Sequence, residues 1–451
     1  MSEVKVIVAD RKYDASHRLG QFLDESDYDT VIDFDCDVYA PPDCDLGTQA
    51  ECTSDCSSCE KGMDERKIVL KLRKNYFSKE EQDAAYMGLR EAAVETQNRG
   101  IAAGPRAGKL GNREWVTAEE FDIIDYFLKP TENIFGDDPI DVIRKEHQGK
   151  KEVVDNRSQV WGIAAVKADN FNFDEWVEAT RKLDEDGMKA EANRVVNRYV
   201  CKTTYANGVM SGIAGWYDRY PRIPYGRATS YTDQHPEKFE MAYPFLQTLA
   251  KGFESLLPWR YNNQMEAAKK LDPKFLVPGT PFTTITVNKT FRTAAHYDAG
   301  DLDDGLSNLL VLSNNGNYSG GMLVAPEYRV AVNVRPGDLL LINNHEVMHG
   351  NTPIEMHDDE AERVSLVCYF RENMLQLGSW EYEQTRKQFV DDRRTNKEHP
   401  EWRKLWNGVS PSMWDSQEWY DYLEAKLGRE VLSEYHPAAT EQKAALDEFF
   451  G

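Results

Sequence analysis

The sequence FTTITVNKTFRTAAHYDAGD, residues 282–301, opens the part of the chain that decides the fold. It begins with a strand-like run, and further runs follow after turns such as NNGNYSGG and RPGD: SNLLVLS, GMLVAP, RVAVNV, DLLLIN and RVSLVCYF. Short apolar strands at this density, separated by glycine-rich turns, are typical of a β-barrel or sandwich. Helical patterns before residue 282 and after Arg371 complete the prediction of an α+β protein, with a β core flanked by helices.

His296 and Asp298 form a His-x-Asp pair within this stretch. Residues two apart on a strand point to the same face, so both side chains can reach one metal ion. Later in the chain, PGDLLLINNHEVMHGNTPI (336–354) offers His345 and His349 as a third ligand. The spacing does not choose between them. We favour His349 because HGNTPI ends the strand at a turn, where a ligand would face the open end of a barrel.

A metal ion held by the predicted two histidines and one carboxylate would keep some of its coordination positions open. This arrangement is typical of non-haem Fe(II) oxygenases, which bind a co-substrate and O₂ at those positions. A single histidine is more often an ordinary core or surface residue, and His-x-Asp pairs occur by chance. The order of strand, His-x-Asp, glycine turns, strand and second histidine is much rarer, and it favours catalytic metal ligands.

ERVSLVCYFRE, residues 362–372, places Arg363 and Ser365 on one face of a strand-like run. An arginine guanidinium forms paired hydrogen bonds with a carboxylate, and a serine hydroxyl beside it adds another. This pair predicts a binding site for the distal carboxylate of 2-oxoglutarate, and Arg292 could face the same pocket. The alternative is a structural ion pair between Arg363 and an acidic residue in 358–362.

Composition bounds the protein class without deciding it. The chain has 451 residues and a formal net charge of −23, which lowers the expectation of a nucleic-acid partner without excluding a local basic groove. It contains no run of eighteen apolar residues, and MSEVKVIVADRK lacks a signal-peptide core. We therefore expect a soluble intracellular protein, located in the cytoplasm or nucleoid, or in the nucleus of a eukaryote.

Two glycine-rich segments carry clustered cations. One of them, 98–115, holds Arg99, Arg106, Lys109 and Arg113 and could lie along a phosphate backbone, or be a solvated connecting loop. It follows a predicted helix that Ser78 and Glu81 begin with a capping box and Gly100 ends. The other segment, 208–232, mixes aromatic residues with Arg219, Arg222 and Arg227. That mixture suits contact with an unstacked base, or a packed aromatic loop.

The motifs of residues 282–371 together resemble those of the ten-eleven-translocation / J-binding-protein family of Fe(II)- and 2-oxoglutarate-dependent DNA-base dioxygenases. The resemblance is weaker over NRGIAAGP and over GWYDRYPRIPYGRATSYT, and it does not cover residues 1–65 or the chain beyond about 380. It implies a double-stranded β-helix, which is a jelly-roll or cupin-like core. It also implies oxidation of the C5-methyl group of thymine or 5-methylcytosine in DNA, after the base has been turned out of the helix.

The resemblance also implies roles for single residues. His296, Asp298 and His349 would bind Fe(II), while Arg363 and Ser365 would hold 2-oxoglutarate. Asn288, Asp301 and Arg227 are candidate contacts for the substrate, although Asn288 and Asp301 are as readily explained as turn-forming residues. As base contacts, a carboxylate can accept a hydrogen bond from an exocyclic amine, and an amide can both donate and accept. Between the two bases we lean slightly towards 5-methylcytosine.

Three regions follow from these features. Residues 1–65 are an acidic, cysteine-rich N-terminal extension, residues 66–380 the dioxygenase domain, and residues 381–451 a helical C-terminal segment. Clustered thiols in an intracellular protein suggest metal binding, so Cys52, Cys56 and Cys59, with Cys36 and Cys44 nearby, could hold a structural zinc; the alternative is a loosely ordered acidic loop.

Two other functions remain open at this point. One is a 2-oxoglutarate dioxygenase that acts on a small molecule or a protein, which the acidic charge favours. The other is a DNA- or protein-binding module that has lost catalysis. The complete set of three ligands with Arg363 and Ser365 argues against the second, because a binding module does not need all five side chains.

Overall fold

A computed structural model describes residues 4–41, 65–96, 99–105, 208–220, 223–396, 398 and 411–428, together with the backbone of 143–147 and 150–154. Cys44, Cys52, Cys56, Cys59, Arg106, Lys109, Arg113 and Arg222 lie outside these residues, so the zinc site stays a prediction. Within the described part, no helix combines the length and the apolar character needed to cross a lipid bilayer.

The chain divides into two compact units whose boundaries differ from the predicted regions. The first comprises residues 1–107, 206–218 and 226–378, and the second comprises 108–205, 219–225 and 379–451. The described residues 4–41 of the predicted N-terminal extension thus belong to the first unit. The predicted C-terminal segment begins at residue 381, two residues after Ser379, where the last part of the second unit begins.

The elements are numbered here in chain order. The strands are β1 (Lys5–Val8), β2 (Thr30–Ile32), β3 (Cys36–Tyr39), β4 (Ile68–Arg73), β5 (Val94–Thr96), β6 (Ile143–His147), β7 (Lys150–Val154), β8 (Val209–Tyr217), β9 (Arg227–Ala228), β10 (Thr284–Lys289), β11 (Ser307–Ser313), β12 (Tyr318–Gly320), β13 (Leu323–Ala325), β14 (Val330–Val332), β15 (Leu339–Ile342), β16 (Gly350–Asn351), β17 (Ile354–Met356) and β18 (Arg363–Tyr369). The α-helices are α1 (Lys79–Leu89), α2 (Ser230–Gln234), α3 (Pro236–Met241), α4 (Tyr243–Leu256), α5 (Pro258–Ala268), α6 (Trp380–Thr395) and α7 (Gln417–Leu427).

The first unit contains a ten-stranded sheet and a four-stranded sheet. The larger has the order β1-β3-β4-β15-β11-β18-β10-β8-β5, with β9 paired to β8, and the smaller has the order β16-β13-β14-β2. β1 pairs with β3 in parallel, and β2 pairs with β14 in parallel. The N-terminal strands are therefore integral to both sheets, so residue 65 does not mark a structural boundary.

The two sheets share one hydrophobic core. Its buried members include Leu70, Leu309 and Leu340 from the larger sheet and Leu323 and Val332 from the smaller one. Side chains from both sheets in one cluster mean that the sheets pack face to face. This arrangement fits the predicted jelly-roll core, with helices such as α4 packed on the outer face of the larger sheet through Gly252 and Leu339.

The same core accounts for Cys36, the described member of the cysteine cluster. Its side chain is fully buried on β3 among apolar residues, and burial raises the pKa of its thiol to about 11. A thiol in such surroundings behaves as a small apolar side chain rather than as a metal ligand.

Strand β18 shows how the fold positions polar groups. Val364, Leu366 and Cys368 are fully buried, whereas the alternate residues Arg363, Ser365, Val367 and Tyr369 line a cavity. This is the period of two expected for a strand. The antiparallel pairing of β10 with β18 places Asn288 opposite Ser365, so both residues reach the same cavity.

Helix α1 begins as predicted and ends early. Ser78 and Glu81 form the predicted capping box. The helix nevertheless ends at Leu89, because the chain then joins the large sheet as β5, which pairs with β8. Gly212 on β8 permits this close approach, since a Cβ atom there would lie 1.8 Å from the carbonyl oxygen of Ala92.

Two helices of the second unit carry serine caps and pack through aromatic residues. The hydroxyl groups of Ser379 and Ser416 accept hydrogen bonds from the first turns of α6 and α7. Tyr382, Phe389 and Trp419 lie in one buried cluster between these helices. These two helices lie largely within the predicted C-terminal segment, residues 381–451, which otherwise stays a prediction.

Candidate active site

The first unit contains a cavity of about 340 Å³. Its lining brings together the loop after β10, the loop before β16 and the inward-facing residues of β18. A cavity of this size falls in the range of about 300–1,000 Å³ that is usual for small-molecule sites. Its polar lining residues include Arg99, Asn288, His296, Asp298, Asp301, His349, Asn351, Arg363, Ser365 and Arg371.

His296, Asp298 and His349 form a group able to hold a metal ion. One potential ligand atom from each residue lies within 4.8 Å of the others. The backbone brings the two histidines together, because His296 N donates to His349 O (2.9 Å) and His349 N donates to His296 O (3.0 Å). Asp298 lies close to both, with its carboxylate oxygens 3.3 Å from His296 Nε2 and 3.9 Å from His349 Nε2.

Hydrogen bonds to neighbouring residues outside this group of three orient each side chain. The Nδ1 atoms of His296 and His349 lie 2.8 Å and 3.0 Å from the carbonyl oxygens of Ala294 and Val347, two residues upstream in each case. Each Nδ1 therefore carries the proton, which leaves Nε2 as the ligand atom. Asn344 Nδ2 donates to Asp298 Oδ2 (3.0 Å) and fixes the carboxylate.

The electrostatics of the group match the needs of a metal. Desolvation opposes ionisation of Asp298, but the hydrogen bond from His296 and the charges that the histidines can carry outweigh it and lower the pKa of this carboxyl to about 2. Burial and the neighbouring His296 lower the pKa of His349 to about 4. At neutral pH the group thus offers an ionised carboxylate at Asp298 and a neutral imidazole at His349, the forms that bind metals. Burial opposes protonation of His296, but the hydrogen bond to Asp298 outweighs it and raises the pKa of His296, so metal binding at its Nε2 would release a proton.

His345, the alternative third ligand, lies outside this group. Its Nδ1 is 3.1 Å from the backbone oxygen of Asp298, and its Nε2 is 3.2 Å from a carboxylate oxygen of Asp303. The geometry therefore supports His349, which remains a proposed ligand.

Arg363 is almost fully buried, with 1% of its surface exposed. Its Nη2 donates to Gly321 O (3.1 Å), whereas Nε and Nη1 have no hydrogen-bond partner among the residues described. Gly321 has a φ of +66°, and a Cβ atom there would lie 2.9 Å from Arg363 Nε, so only glycine allows this approach. Such a buried guanidinium with two donors free fits a carboxylate ligand.

The described ion pairs include none between Arg363 and an acidic residue in 358–362, and the nearest of these in sequence, Glu362, has other partners. Glu362 accepts from Arg90 Nη2 (2.8 Å) and from Tyr86 Oη (2.5 Å), and it lies 3.4 Å from Lys289 Nζ. Ser365 lines the cavity two residues after Arg363, as the strand period requires.

Four other predicted residues divide into two pairs. Asn288 and Asp301 are buried and line the cavity. Arg292 and Arg227 do not line it. Arg292 donates to the backbone oxygens of Leu23 (2.7 Å) and Asn351 (3.3 Å), and Arg227 donates to the backbone oxygen of Asp218 (3.0 Å). Their side chains serve backbone contacts instead.

The cation-rich segments behave differently from each other. Arg99 lines the cavity and donates to the backbone oxygen of Gly212 (2.9 Å). Arg219 belongs to the second unit, where it forms an ion pair with the fully buried Glu383.

Sequence reasoning missed Tyr217, Tyr369 and Arg371, which also line the cavity. Arg371 Nε donates to Asp218 Oδ1 (2.5 Å), and its guanidinium lies 5.2 Å from the ring centre of Tyr217. Extending the period of two from Arg363 and Ser365 reaches Tyr369 and Arg371, so a signal for both was present. The Asp218 partner is distant in sequence and gave none.

Asp301 is a buried acid beside this arginine. It accepts a hydrogen bond from Ser307 Oγ. Burial, reinforced by the charge of Asp298, raises the pKa of Asp301 to about 8, although Ser307 and Arg371 oppose the rise. At neutral pH this side chain therefore carries a proton and can donate as well as accept a hydrogen bond.

Comparison with known proteins matches residues 212–372 to the oxygenase domain of the 2OGFeDO superfamily, in its Tet_JBP form. Thymine dioxygenase JBP1 of Trypanosoma brucei brucei is 37% identical over 166 residues, which cover 36% of this chain and 19% of that protein. The protein of the same name from Crithidia fasciculata is 31% identical over 176 residues, covering 38% and 21%. The chain thus spans about a fifth of the length of the curated relatives it matches.

Among solved structures, one described as NgTET1 in complex with 5mC DNA aligns with 40% of this chain and 68% of its own, at 17% identity and a TM-score of 0.33. The matched residues 212–372 include every member of the metal group as well as Arg363 and Ser365. The resemblance to the ten-eleven-translocation / J-binding-protein family is therefore confirmed for residues 212–372, which match the oxygenase domain of that family.

Proposed function

We propose that the protein is an Fe(II)- and 2-oxoglutarate-dependent dioxygenase that hydroxylates the C5-methyl group of a pyrimidine base in DNA. The observation that carries this proposal is a single cavity that combines three convergent metal-ligand atoms with a buried, partly unpaired arginine. The oxygenase-domain match supports the reaction class. The thymine dioxygenases that share this segment support a pyrimidine methyl group as the target.

His296, Asp298 and His349 would hold the iron. Fe(II), with 2-oxoglutarate and O₂ as co-substrates, supplies the oxidising power needed to hydroxylate a methyl group. The protein supplies orientation, because the hydrogen bonds to both Nδ1 atoms and to the Asp298 carboxylate fix the ligand atoms before a metal arrives.

Arg363 and Ser365 would bind the distal carboxylate of 2-oxoglutarate. The unpartnered Nη1 and the second hydrogen of Nη2 can form paired hydrogen bonds with its oxygens, since Gly321 lies against the Nε side of the guanidinium, and the serine hydroxyl can add another. Burial makes this ion pair strong and excludes competing water. A buried arginine without such a ligand would keep two unsatisfied donors, which is costly.

Asn288, Asp301 and Arg371 would contact the base once it has been turned out of the DNA helix. The Asn288 side-chain oxygen accepts a hydrogen bond from Ser211, so its NH₂ group is the part available to a base. Arg371 is held by Asp218 and presents further donors to base oxygen or nitrogen atoms.

Thymine is the proposed base, in place of the slight preference for 5-methylcytosine stated above. A protonated Asp301 carboxyl could donate to O4 of thymine, and either form of the carboxyl could accept from the N4 amine of 5-methylcytosine. Burial and the Asp298 charge raise the pKa of Asp301 to about 8 in the metal-free chain, and this shift is compatible with either base. The names of the related thymine dioxygenases agree with this choice.

The test is mass spectrometry of nucleosides from DNA that contains both thymine and 5-methylcytosine, after incubation with the full chain, Fe(II), 2-oxoglutarate and ascorbate. We expect 5-hydroxymethyluracil, and no product from the Asp298→Ala variant. Succinate release without an oxidised base would refute the DNA substrate and favour a small molecule or protein. Iron-independent DNA binding without succinate would indicate a non-catalytic module.

A further inference from the structure

Glu327 is a buried acid that does not line the cavity yet contacts both segments that carry the metal group. It lies in the short 3-10 turn Pro326–Tyr328 between β13 and β14, with 5% of its surface exposed. Its Oε1 accepts a hydrogen bond from Tyr297 Oη (3.1 Å), and its Oε2 accepts one from Met348 N (2.7 Å). Tyr297 stands between His296 and Asp298, and Met348 immediately precedes His349.

The contacts of Glu327 lie on the side away from the cavity. His296 and Asp298 line the cavity, whereas Tyr297 between them does not. Glu327 meets Tyr297 on that side. The two oxygens of one carboxylate thus bridge two ligand-bearing segments from behind, where they cannot compete for the metal.

The N-terminal segment of residues 12–29 is tied to the same place. Lys12 Nζ lies 3.2 Å from Glu327 Oε1, and the amide of Tyr13 donates to the backbone oxygen of Glu327 (2.8 Å). Gly20 N donates to Ala295 O, and Ala295 N donates to Gln21 O, each at 2.8 Å. Hydrogen bonds therefore run from this segment to the residue directly before His296.

Apolar packing reinforces the attachment. Ala15 and Leu23 of the N-terminal segment are buried in one cluster with Ala295 and Met348, the residues that directly precede His296 and His349. This segment lies outside residues 212–372, the part that matches the oxygenase-domain family. The backing of the metal group thus includes residues that the matched domain does not contain.

We propose that Glu327, anchored by Lys12, is a positioning residue that holds the His296–Asp298 segment and the His349 segment at the separation a metal ion requires. This rests on the proposed metal site. Ligand geometry must be kept within about 0.5 Å to be productive, and a carboxylate that bridges both segments restrains their separation directly. Loss of such supporting contacts typically weakens metal affinity by about 10–100-fold.

The experiment measures Mn(II) affinity of the metal-free full chain by equilibrium dialysis. Glu327→Ala removes both bridges, and we expect affinity to fall by about tenfold or more. Glu327→Gln keeps an oxygen for Met348 N and a polar group for Tyr297, so it should remain within about threefold of wild type. Lys12→Met removes only the anchor, and we expect an intermediate loss.

Asp29→Asn is the matched control. Arg329 forms a bidentate ion pair with Asp29, through Nε to Oδ2 (2.9 Å) and Nη2 to Oδ1 (2.6 Å). This ion pair joins the same N-terminal segment to the residue that follows the turn Pro326–Tyr328. It has no hydrogen bond to Tyr297 or Met348 among the described contacts. We expect Asp29→Asn to leave Mn(II) affinity unchanged, although it can lower the unfolding temperature.

A second readout separates positioning from stability. Co(II) bound in place of iron reports ligand geometry through its visible absorption, which should change in Glu327→Ala and be restored in Glu327→Gln. Wild-type Mn(II) affinity together with an unchanged Co(II) spectrum in Glu327→Ala would overturn the proposal, as would an equal loss in Asp29→Asn. If Glu327→Ala does not fold, Lys12→Met decides, and unchanged affinity there overturns the proposal. Because Mn(II) binding is measured without DNA, failure to oxidise a base would bear on the proposed function alone.

Discussion

The metal group (His296, Asp298 and His349) and the base group (Asn288, Asp301 and Arg371) line the same cavity, but contacts of different range stabilise them. Each histidine of the metal group is oriented by a carbonyl two residues upstream. In the base group, Asn288 bonds to Ser211, 77 residues away, and Arg371 bonds to Asp218, 153 residues away. The orientation of each imidazole is therefore encoded locally, whereas the approach of the two segments that carry the metal group, and the contacts of Asn288 and Arg371, depend on how distant parts of the chain meet.

The sharpest way to break the metal group is Asp298→Ala, which removes the carboxylate that lies between the two histidines. We expect Mn(II) affinity to fall by at least about 100-fold and base oxidation to drop below detection. Equilibrium dialysis and nucleoside mass spectrometry measure the two effects. Asp303→Ala is the control, because the Asp303 side chain is exposed and its described contact is with His345, which lies outside the metal group. Wild-type Mn(II) affinity in Asp298→Ala would contradict the assignment.

A substitution at Arg363 should weaken 2-oxoglutarate binding without weakening metal binding. Arg363→Met removes two charge-assisted hydrogen bonds to 2-oxoglutarate, and we expect its affinity to fall roughly 100-fold. Titration calorimetry with Mn(II) present measures this. Mn(II) affinity itself should stay within about threefold, because Arg363 makes no contact with the metal group. The control is Arg335→Met, which removes a neighbouring arginine that lies over the Tyr318 ring. Equal losses in both variants would refute the specific role of Arg363.

The activity of the base group should depend on the distant residues that hold it, such as Asp218. Asp218→Asn removes the ionic partner of Arg371, and we expect kcat/KM for DNA to fall roughly tenfold while the KM for 2-oxoglutarate is unchanged. Steady-state kinetics with each substrate varied in turn measures the split. Asp83→Asn, which breaks an exposed ion pair with Lys79 on α1, should change neither value. A parallel rise in the KM for 2-oxoglutarate would show that the two groups are not separable.

Replacement of Asp301 is expected to have the smallest effect, a change in how the stability of the fold depends on pH. Its pKa is raised from the usual 3.8 to about 8 in the folded protein, so the folded state holds a proton that the unfolded state releases. The contribution of Asp301 to stability is therefore fully present below pH 4 and is lost as the pH rises towards 8. Replacing it by Asn removes this loss.

The measurement is the thermal midpoint of metal-free wild type and Asp301→Asn at pH 5 and pH 8. We expect the thermal midpoint of the variant to rise relative to that of wild type between pH 5 and pH 8. Added Mn(II) should reduce this gain, because it neutralises the Asp298 charge that helps to raise the pKa. A gain that is the same at both pH values would contradict the shifted pKa.

The contrast in range also explains what the sequence could predict. The Arg363–Ser365 pair follows from a period of two along β18. His296 and Asp298 lie after the end of β10, where only an isolated β-bridge joins His296 to His349, so the strand predicted for this pair is not present. The structure nevertheless places both pairs in one cavity, and the geometry supports the choice of His349 over His345. Local spacing was sufficient to find these residues.

Other features depended on tertiary contacts that no local pattern records. Arg292 lies next to the motif but donates to Leu23, a residue of the N-terminal segment. The sequence predicts a separate acidic extension over residues 1–65, yet its strands β1, β2 and β3 belong to the two sheets. Helix α1 ends at Leu89 because β5 pairs with β8, whereas Gly100 was the visible stop signal.

The most direct test of the account counts two products in one reaction of the full chain with Fe(II), O₂, 2-oxoglutarate and DNA: succinate and the hydroxymethylated base. Each turnover consumes one 2-oxoglutarate and one O₂, and it yields one succinate, one CO₂ and one hydroxymethyl group. We predict succinate and 5-hydroxymethyluracil in nearly equal amounts from wild type, and neither product from Asp298→Ala. Succinate formed at the same rate with and without DNA, with no oxidised base, would contradict the proposed function.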